Sequence, residues 1–258
     1  MLPVTDSLGG DVFLVTGGAG GIGKATTTAL AERGGRVVLT DVDEDAGSQV
    51  ADEVRRNTNG EIRFEPLDVT NPAAVTECAQ KLDDEGWPVY GLMANAGIAP
   101  SSSAVDYSDE LWLRTVDINL NGVFWCCREF GKRMIARGRG SVVTTSSIAG
   151  FRTVSPERHA AYGATKAAVA HLVGLLGVEW AKTGVRVNAV APGYTRTPIL
   201  EALKAESPET ISEWTERIPN GRLNDPSEIA DGVVFLMSNA ARGITGTVLH
   251  IDGGYAAR

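Results

Sequence analysis

VTGGAGGIG, residues 15–23, joins an apolar run, DVFLVT (11–16), to a helical pattern over 21–33. Gly17, Gly21 and Gly23 stand at the spacing T-G-x-x-x-G-x-G. Glycines at these places let the backbone turn tightly and approach a pyrophosphate. The helix start then offers free N–H groups and a positive dipole end. A glycine-rich turn without a ligand is the other reading of such a motif. The strand before it and the helix after it are the context that the dinucleotide reading requires.

Outward from this stretch the alternation continues. RVVLT (36–40) reads as a strand, followed by a helix to Arg56. IRFEPL (62–67), a helix from Pro72 and PVYGLMA (88–94) come next. One long helical region covers Asp109 to Ala136, GSVVTTSS (140–147) is a strand, 160–183 a helix and VRVNAV (185–190) a strand. A long loop leads to a helix from Pro226 and the strand GTVLHI (246–251). Strands alternating with helices of this length imply parallel strands joined by right-handed crossovers, with helices on both faces of one sheet. No linker, composition break or repeat divides the chain. The expected fold is α/β, a single doubly wound Rossmann domain of about seven parallel strands over residues 1–258.

The chain of 258 residues is 43% hydrophobic and 22% charged, with a formal net charge of −8. That balance supplies a sizeable core, and it argues against a nucleic-acid partner or an anionic membrane surface. The cysteines are Cys78, Cys126 and Cys127. The last two are helical neighbours whose side chains diverge, so a disulfide framework is not expected and a reducing compartment is. MLPVTDSLGG at the start lacks the charged and apolar segments of a signal peptide. No uninterrupted apolar run approaches the ~18 residues of a membrane span. A cytoplasmic protein is the expectation.

Asp41 ends the second strand and can bind both ribose hydroxyls of NAD while repelling a 2′-phosphate. No Lys or Arg lies within residues 17–23, and Arg36 starts that strand, at the end remote from the ligand. NAD is therefore expected over NADP. AAYGATK (160–166) places Tyr162 and Lys166 four residues apart, on one helical face. A phenol with an ordinary pKa of ~10 is a poor base near neutrality, and a nearby ammonium favours the phenolate. Ser146 and Ser147 end a strand where side chains reach the crevice at the carboxyl edge of the sheet.

With these motifs stand LDV (67–69), NAG (95–97), DINLNGVF (117–124), SSIAG (146–150), RVNAVAPGYTRT (186–197) and TGTVLHIDGG (245–254). In order and spacing, from residue 10 to 254, the chain closely resembles the short-chain dehydrogenase/reductase family. The resemblance implies a catalytic set of Asn119, Ser147, Tyr162 and Lys166. Tyr162 would be the acid/base. Lys166 would lower its pKa and hold the nicotinamide ribose, Ser147 would bind the substrate oxygen, and Asn119 would anchor a relay water. For the cofactor it implies Gly17, Gly20, Gly21, Ile22 and Gly23 at the pyrophosphate, with Asp41 and Val42 at the ribose. Asp68 and Val69 would meet the adenine, and Asn95, Ala96 and Gly97 the adenosine ribose. Pro192, Gly193, Thr195 and Thr197 would surround the carboxamide.

Three departures from the family pattern bear on this. Ala94 replaces the first of two asparagines, and Thr195 stands where Val or Ile is usual. The loop IAGFRTVSPERHAA (148–161) makes the step from Ser147 to Tyr162 longer than the family's usual spacing. That loop carries Arg152, Ser155, Glu157, Arg158 and His159, and with Pro156, AAY, APGY and SPETISEWTERIPNGR it resembles the polyol members, galactitol-type dehydrogenases especially. His171 and His250 read as structural, the cysteines as small apolar residues, and no zinc-type spacing occurs. Residues 194–222 are expected to hold a substrate loop, as a mobile lid or as a solvated helix around Trp214. AAVAHLVGLLGVEWA (167–181), apolar nearly all round, implies a second packed face, and the resemblance implies a homotetramer. The expected activity is NAD-dependent interconversion of a secondary alcohol and a ketone, on a polyol or small diol. The alternatives are an NADP-dependent 3-oxoacyl-carrier reductase and a non-enzymatic NAD(H)-binding regulator.

Overall fold

The computed structural model describes residues 8–197 and 208–258. Its elements in chain order are β1 (Val12–Thr16), α1 (Gly21–Glu32), β2 (Arg36–Asp41), α2 (Glu44–Thr58), β3 (Ile62–Pro66), α3 (Pro72–Asp84) and β4 (Val89–Ala94). Then come α4 (Asp109–Val116), α5 (Val123–Arg137), β5 (Gly140–Thr145), α6 (Ala160–Trp180), β6 (Val185–Pro192), α7 (Pro208–Arg217), α8 (Pro226–Met237) and β7 (Val248–Ile251). The seven strands form one parallel sheet in the order β3-β2-β1-β4-β5-β6-β7.

β1 and β5 are buried along their whole length. A strand covered on both faces shows a continuous apolar run rather than alternation, which is why VFLVT is legible as a central strand. Its residues divide between two layers. Val12 and Leu14 pack with Val75, Phe130 and Val173 of α3, α5 and α6. Phe13 and Val15 pack with Leu30, Val54 and Ile229 of α1, α2 and α8. Helix starts are sharply marked. Asn71 accepts from the N–H groups of Ala73 and Ala74 ahead of Pro72, and Asp225 and Glu228 form a reciprocal capping box around Pro226. Chain direction across the sheet reverses between β1 and β4, so the crevice for a ligand opens above the carboxyl ends of these strands.

Three elements differ from the sequence expectation. The helical region 109–136 is interrupted by a π turn over Asp117–Gly122, where buried Asn119 is tied to a neighbouring loop. The last strand begins at Val248 rather than Gly246, because the N–H of Thr247 is taken by the Asn188 side chain at 3.2 Å. In the substrate segment, α7 buries Trp214, and Ile218 just beyond it is also buried, so this helix is packed on the body rather than solvated. Residues 198–207 of that segment lie outside the described residues.

By length and mean hydropathy (1.3) the stretch Ala160–Thr183 could cross a bilayer. Here it is a core helix. Val169 and Val173 are fully buried, and its Lys166 is 3% exposed.

Candidate active site

The glycine loop is held where only glycine fits. Gly17 has φ +62°, and a Cβ there would stand 2.8 Å from Ala96 Cα. A Cβ on Gly23 would stand 2.2 Å from the Gly17 carbonyl oxygen, so α1 meets its own loop too closely for any side chain. Gly20 caps α1 without a side-chain hydrogen bond, and no acidic residue lies in the first turn with Gly21 and Ile22. The first turn of α1 thus carries no acidic side chain of its own, as a site for a pyrophosphate requires. The residues present fit a dinucleotide.

Asp41, at the carboxyl end of β2, accepts from the Ala19 N–H at 3.0 Å and from the Asp43 N–H at 3.2 Å. Its carboxylate is held against the glycine loop, and the next residue, Val42, is 72% exposed. Asp68 accepts from the N–H (2.9 Å) and hydroxyl (2.7 Å) of Thr70, while Val69 is buried. Asn95 donates through Nδ2 to the carbonyls of Thr16 and Gly17, both at 3.1 Å. Thr16 Oγ1 in turn accepts from the N–H groups of Asn95 and Ala96, and Thr145 Oγ1 donates to Asn95 Oδ1 at 3.1 Å. Thr16 and Thr145, strand-end threonines that the sequence reading passed over, therefore lock the two loops together. Their positions, last in β1 and last in β5, are the signal that could have identified them. Gly97 lies beside the centre. A Cβ there would come within 3.2 Å of Asn119 Oδ1 and 3.4 Å of Lys166 Nζ.

Ser147 follows β5, and Tyr162 and Lys166 lie on the first turns of α6. The hydroxyl of Ser147 lies beside the phenol of Tyr162, close enough to favour its ionised form. Lys166 Nζ lies 5.6 Å from the centre of the Tyr162 ring and donates to the Thr145 carbonyl at 2.6 Å. The neighbouring Ser146 instead donates to the Lys166 carbonyl at 2.8 Å, fixing α6 to β5. Ser147 is therefore the serine that faces the phenol.

One sequence expectation changes at this point. Burial, opposed in part by the Ser147 hydroxyl, pushes the Tyr162 phenol up from its ordinary value rather than down. Burial also pulls the Lys166 ammonium down to about 8. Desolvation penalises both charged forms, so each is harder to ionise than in water. The side chain of Asn119 is engaged elsewhere. Its Nδ2 donates to the Ile98 carbonyl (2.8 Å) and to Thr165 Oγ1 (3.3 Å), and its Oδ1 accepts from the Ile98 N–H (2.9 Å). Both amide hydrogens are spent on clamping the loop after β4 to α6.

The loop after β6 is fixed from two sides. Gly193 N–H donates to the Ile251 carbonyl, and Thr195 Oγ1 donates to the Gly193 carbonyl, both at 2.9 Å. Thr195 also bridges to Asn224, which is 4% exposed and donates to the Ile251 carbonyl at 2.6 Å. Pro192 is buried, and Thr197 is partly buried. His159 opens α6 with its ring 5.6 Å from that of Tyr162 and Nδ1 3.0 Å from the Pro100 carbonyl. His171 and His250 are exposed, the latter against Phe151. Cys126 and Cys127 are fully buried, Cys78 is partly buried, and all three are free thiols. No cluster of metal-ligating residues occurs among the described residues.

A family model described as enoyl-(acyl carrier protein) reductase matches residues 17–256. A galactitol 2-dehydrogenase of Rhizobium johnstonii is 42% identical, over 96% of each chain. A galactitol 2-dehydrogenase (L-tagatose-forming) of Cereibacter sphaeroides is 38% identical, again over 96% of each. Among solved structures, one from Agrobacterium tumefaciens, provisionally described as a 2-deoxy-D-gluconate 3-dehydrogenase and holding NADP, superposes with a TM-score of 0.89. It is 36% identical over 98% of both chains. Matched along nearly its full length by fold, loop and site, the chain belongs to the short-chain dehydrogenase/reductase family, a nicotinamide-dependent oxidoreductase of CH–OH donors.

Proposed function

We propose that the chain is an NAD-dependent dehydrogenase that interconverts a secondary hydroxyl of a sugar alcohol or small vicinal diol with the ketone. The observation that carries this reading is the Ser147 hydroxyl and the Lys166 ammonium, both beside the Tyr162 ring, at the same edge of the sheet as the uncapped start of α1. Similarity to galactitol dehydrogenases supports the substrate class.

Asp41 would hold the adenosine ribose, and the N–H groups of Gly20 to Gly23 the pyrophosphate. The nicotinamide, when bound, supplies the hydride acceptor and donor. The chain's own work is on the oxygen. Ser147 donates a hydrogen bond to the substrate oxygen and keeps it against the phenol. Tyr162 takes the hydroxyl proton during oxidation and returns it during reduction. Lys166 favours the phenolate through its charge and opposes the upward push of burial. With its side-chain amide spent, Asn119 can serve a relay water only through its main-chain carbonyl, inside a π turn whose i→i+5 bonding displaces carbonyls from their α-helical partners.

The test is a panel of galactitol, sorbitol, xylitol, threitol, 1,2-diols, simple secondary alcohols, hydroxysteroids and 3-hydroxyacyl thioesters. Polyols or vicinal diols should give the highest kcat/KM with NAD. Turnover of steroids or thioesters alone would sink the polyol assignment.

The reading includes a homotetramer. Leu175 and Val178 on α6 are 55% and 80% exposed, and Trp112, Leu113 and Phe124 form a second uncovered apolar group on α4 and α5. Apolar faces of this kind on helices whose other side is core call for a partner surface. Light scattering at micromolar concentration should return a mass near that of four chains, and Val178→Glu should lower it. A monomeric wild-type protein would contradict the assembly.

A further inference from the structure

Tyr194 lies two residues past the end of β6 and gathers three elements around its ring. Trp214 of α7 stacks on it with centroids 4.6 Å apart and planes 16° apart. Tyr255, beyond β7, meets it edge-on at 5.8 Å. Its hydroxyl donates to Glu157 Oε2 at 3.4 Å. Glu157 belongs to the lengthened loop before α6, two residues ahead of His159, whose ring contacts that of the acid/base tyrosine. A carboxylate and two phenols are thus gathered at the loop that leads through His159 to Tyr162, with aromatic packing holding the phenols.

Glu157 is partly buried, and no cation pairs with it among the described residues. The cations of the neighbourhood are engaged or turned outward. Arg217 bonds Glu213 and the Ser155 carbonyl, Arg152 is exposed and bonds the Phe151 carbonyl, and Arg158 is exposed. A carboxylate offers about four acceptor positions, and Tyr194 uses one. What remains is acceptor capacity and an uncompensated negative charge. A sugar alcohol hydroxyl suits both neighbours, because it can donate to the carboxylate and accept from a phenol. A carboxylate on the substrate can accept from a phenol but cannot donate to Glu157, and it adds a like charge.

We infer that Glu157, held by Tyr194 and flanked by Tyr255, is a subsite for a neutral hydroxyl-bearing end of the substrate, selecting polyols against the corresponding aldonates. The inference rests on the polyol reading above and narrows it. Like charges about 6 Å apart change binding by roughly threefold in a water-like setting and roughly a hundredfold in a partly buried one. An effect near tenfold is therefore expected.

The test compares kcat/KM for galactitol and galactonate, with NAD, in the full chain and in Glu157→Gln and Glu157→Lys. The ratio of galactitol to galactonate should fall about tenfold with Gln and further with Lys, mainly through a lower KM for galactonate. Tyr194→Phe keeps the charge and should preserve the selection against galactonate while raising KM for galactitol. A role in packing alone would lower both activities together and would not follow the order of charge at position 157. A ratio within about twofold of wild type in both Glu157 variants, with galactitol still oxidised, overturns the subsite and leaves the polyol reading standing. Wild-type protein that oxidises neither compound overturns the polyol reading and the subsite with it.

Discussion

Tyr162→Phe should lower kcat for alcohol oxidation by about 10²–10⁴-fold, the usual contribution of a positioned acid–base group, while NADH still binds. The substitution removes one oxygen and keeps the ring that His159 and Lys166 contact at 5.6 Å each. Folding and cofactor affinity should therefore survive. Ser147 loses the neighbouring oxygen but retains a hydrogen bond from the Ala149 N–H at 3.2 Å. The pH profile makes the test specific. Because burial holds the phenol above its ordinary value, the base form is the minor one near neutrality. Oxidation by the wild type should then speed up with rising pH between about 6 and 8. The rise should flatten as Lys166, held at about 8, loses the charge that supports the phenolate. In Tyr162→Phe that rising limb should vanish. Initial rates across pH, with NADH binding followed by fluorescence, supply both readings, and near-normal turnover in the variant would remove Tyr162 from the mechanism.

The same buried lysine links the site to stability. A base whose folded pKa lies below its unfolded value binds fewer protons when folded. Between about 8 and its ordinary 10.5, stability therefore rises with pH on account of Lys166. The phenol, raised on folding, acts in the opposite sense above its ordinary value of 10. The site buries two ionisable groups at a cost in desolvation, which a core built for stability alone would not carry.

Legibility from sequence followed the physics of each element. Central strands were readable because burial on both faces leaves uninterrupted apolar runs, and helix starts because Pro72 and Pro226 sit in the first turn behind polar caps. The glycine loop was readable because two of its glycines answer to steric demands that no other residue meets. The π turn at Asp117–Gly122 was not, because its cause is a contact with Ile98, 21 residues away. The direction of the phenol's shift was hidden for a related reason. Sequence spacing shows that an ammonium is near, but only the packed structure shows how far both groups are withdrawn from water. The loop that lengthens the Ser147–Tyr162 step was visible, while its attachment to Tyr194 and α7 depends on side chains from a loop and a helix distant in sequence.

Asp41→Asn should reduce the preference for NAD over NADP by at least about tenfold, from a wild-type ratio of kcat/KM expected near 10² or more. A relative of the same fold holds NADP, so the fold itself accommodates a 2′-phosphate and any discrimination against it must be local. At the end of β2 the Asp41 carboxylate is fixed by the Ala19 and Asp43 N–H groups, where a 2′-phosphate would meet a like charge. The nearby cations do not offset it. Lys24 follows the glycine loop, but both Glu53 oxygens hold its ammonium, at 2.8 and 2.7 Å. Arg36, at the other end of β2, pairs with Glu61 and lies over the Trp87 ring. Asparagine keeps an oxygen that can still accept from the Ala19 N–H, so the loop stays in place and only the charge is removed. Asp41→Ala removes both and should also weaken NAD itself. The two variants together separate repulsion of the phosphate from support of the loop. Adding Glu53→Gln to Asp41→Asn releases Lys24 and should move the ratio further toward NADP. Equal kcat/KM for the two cofactors in the wild-type protein would show that Asp41 does not discriminate between them.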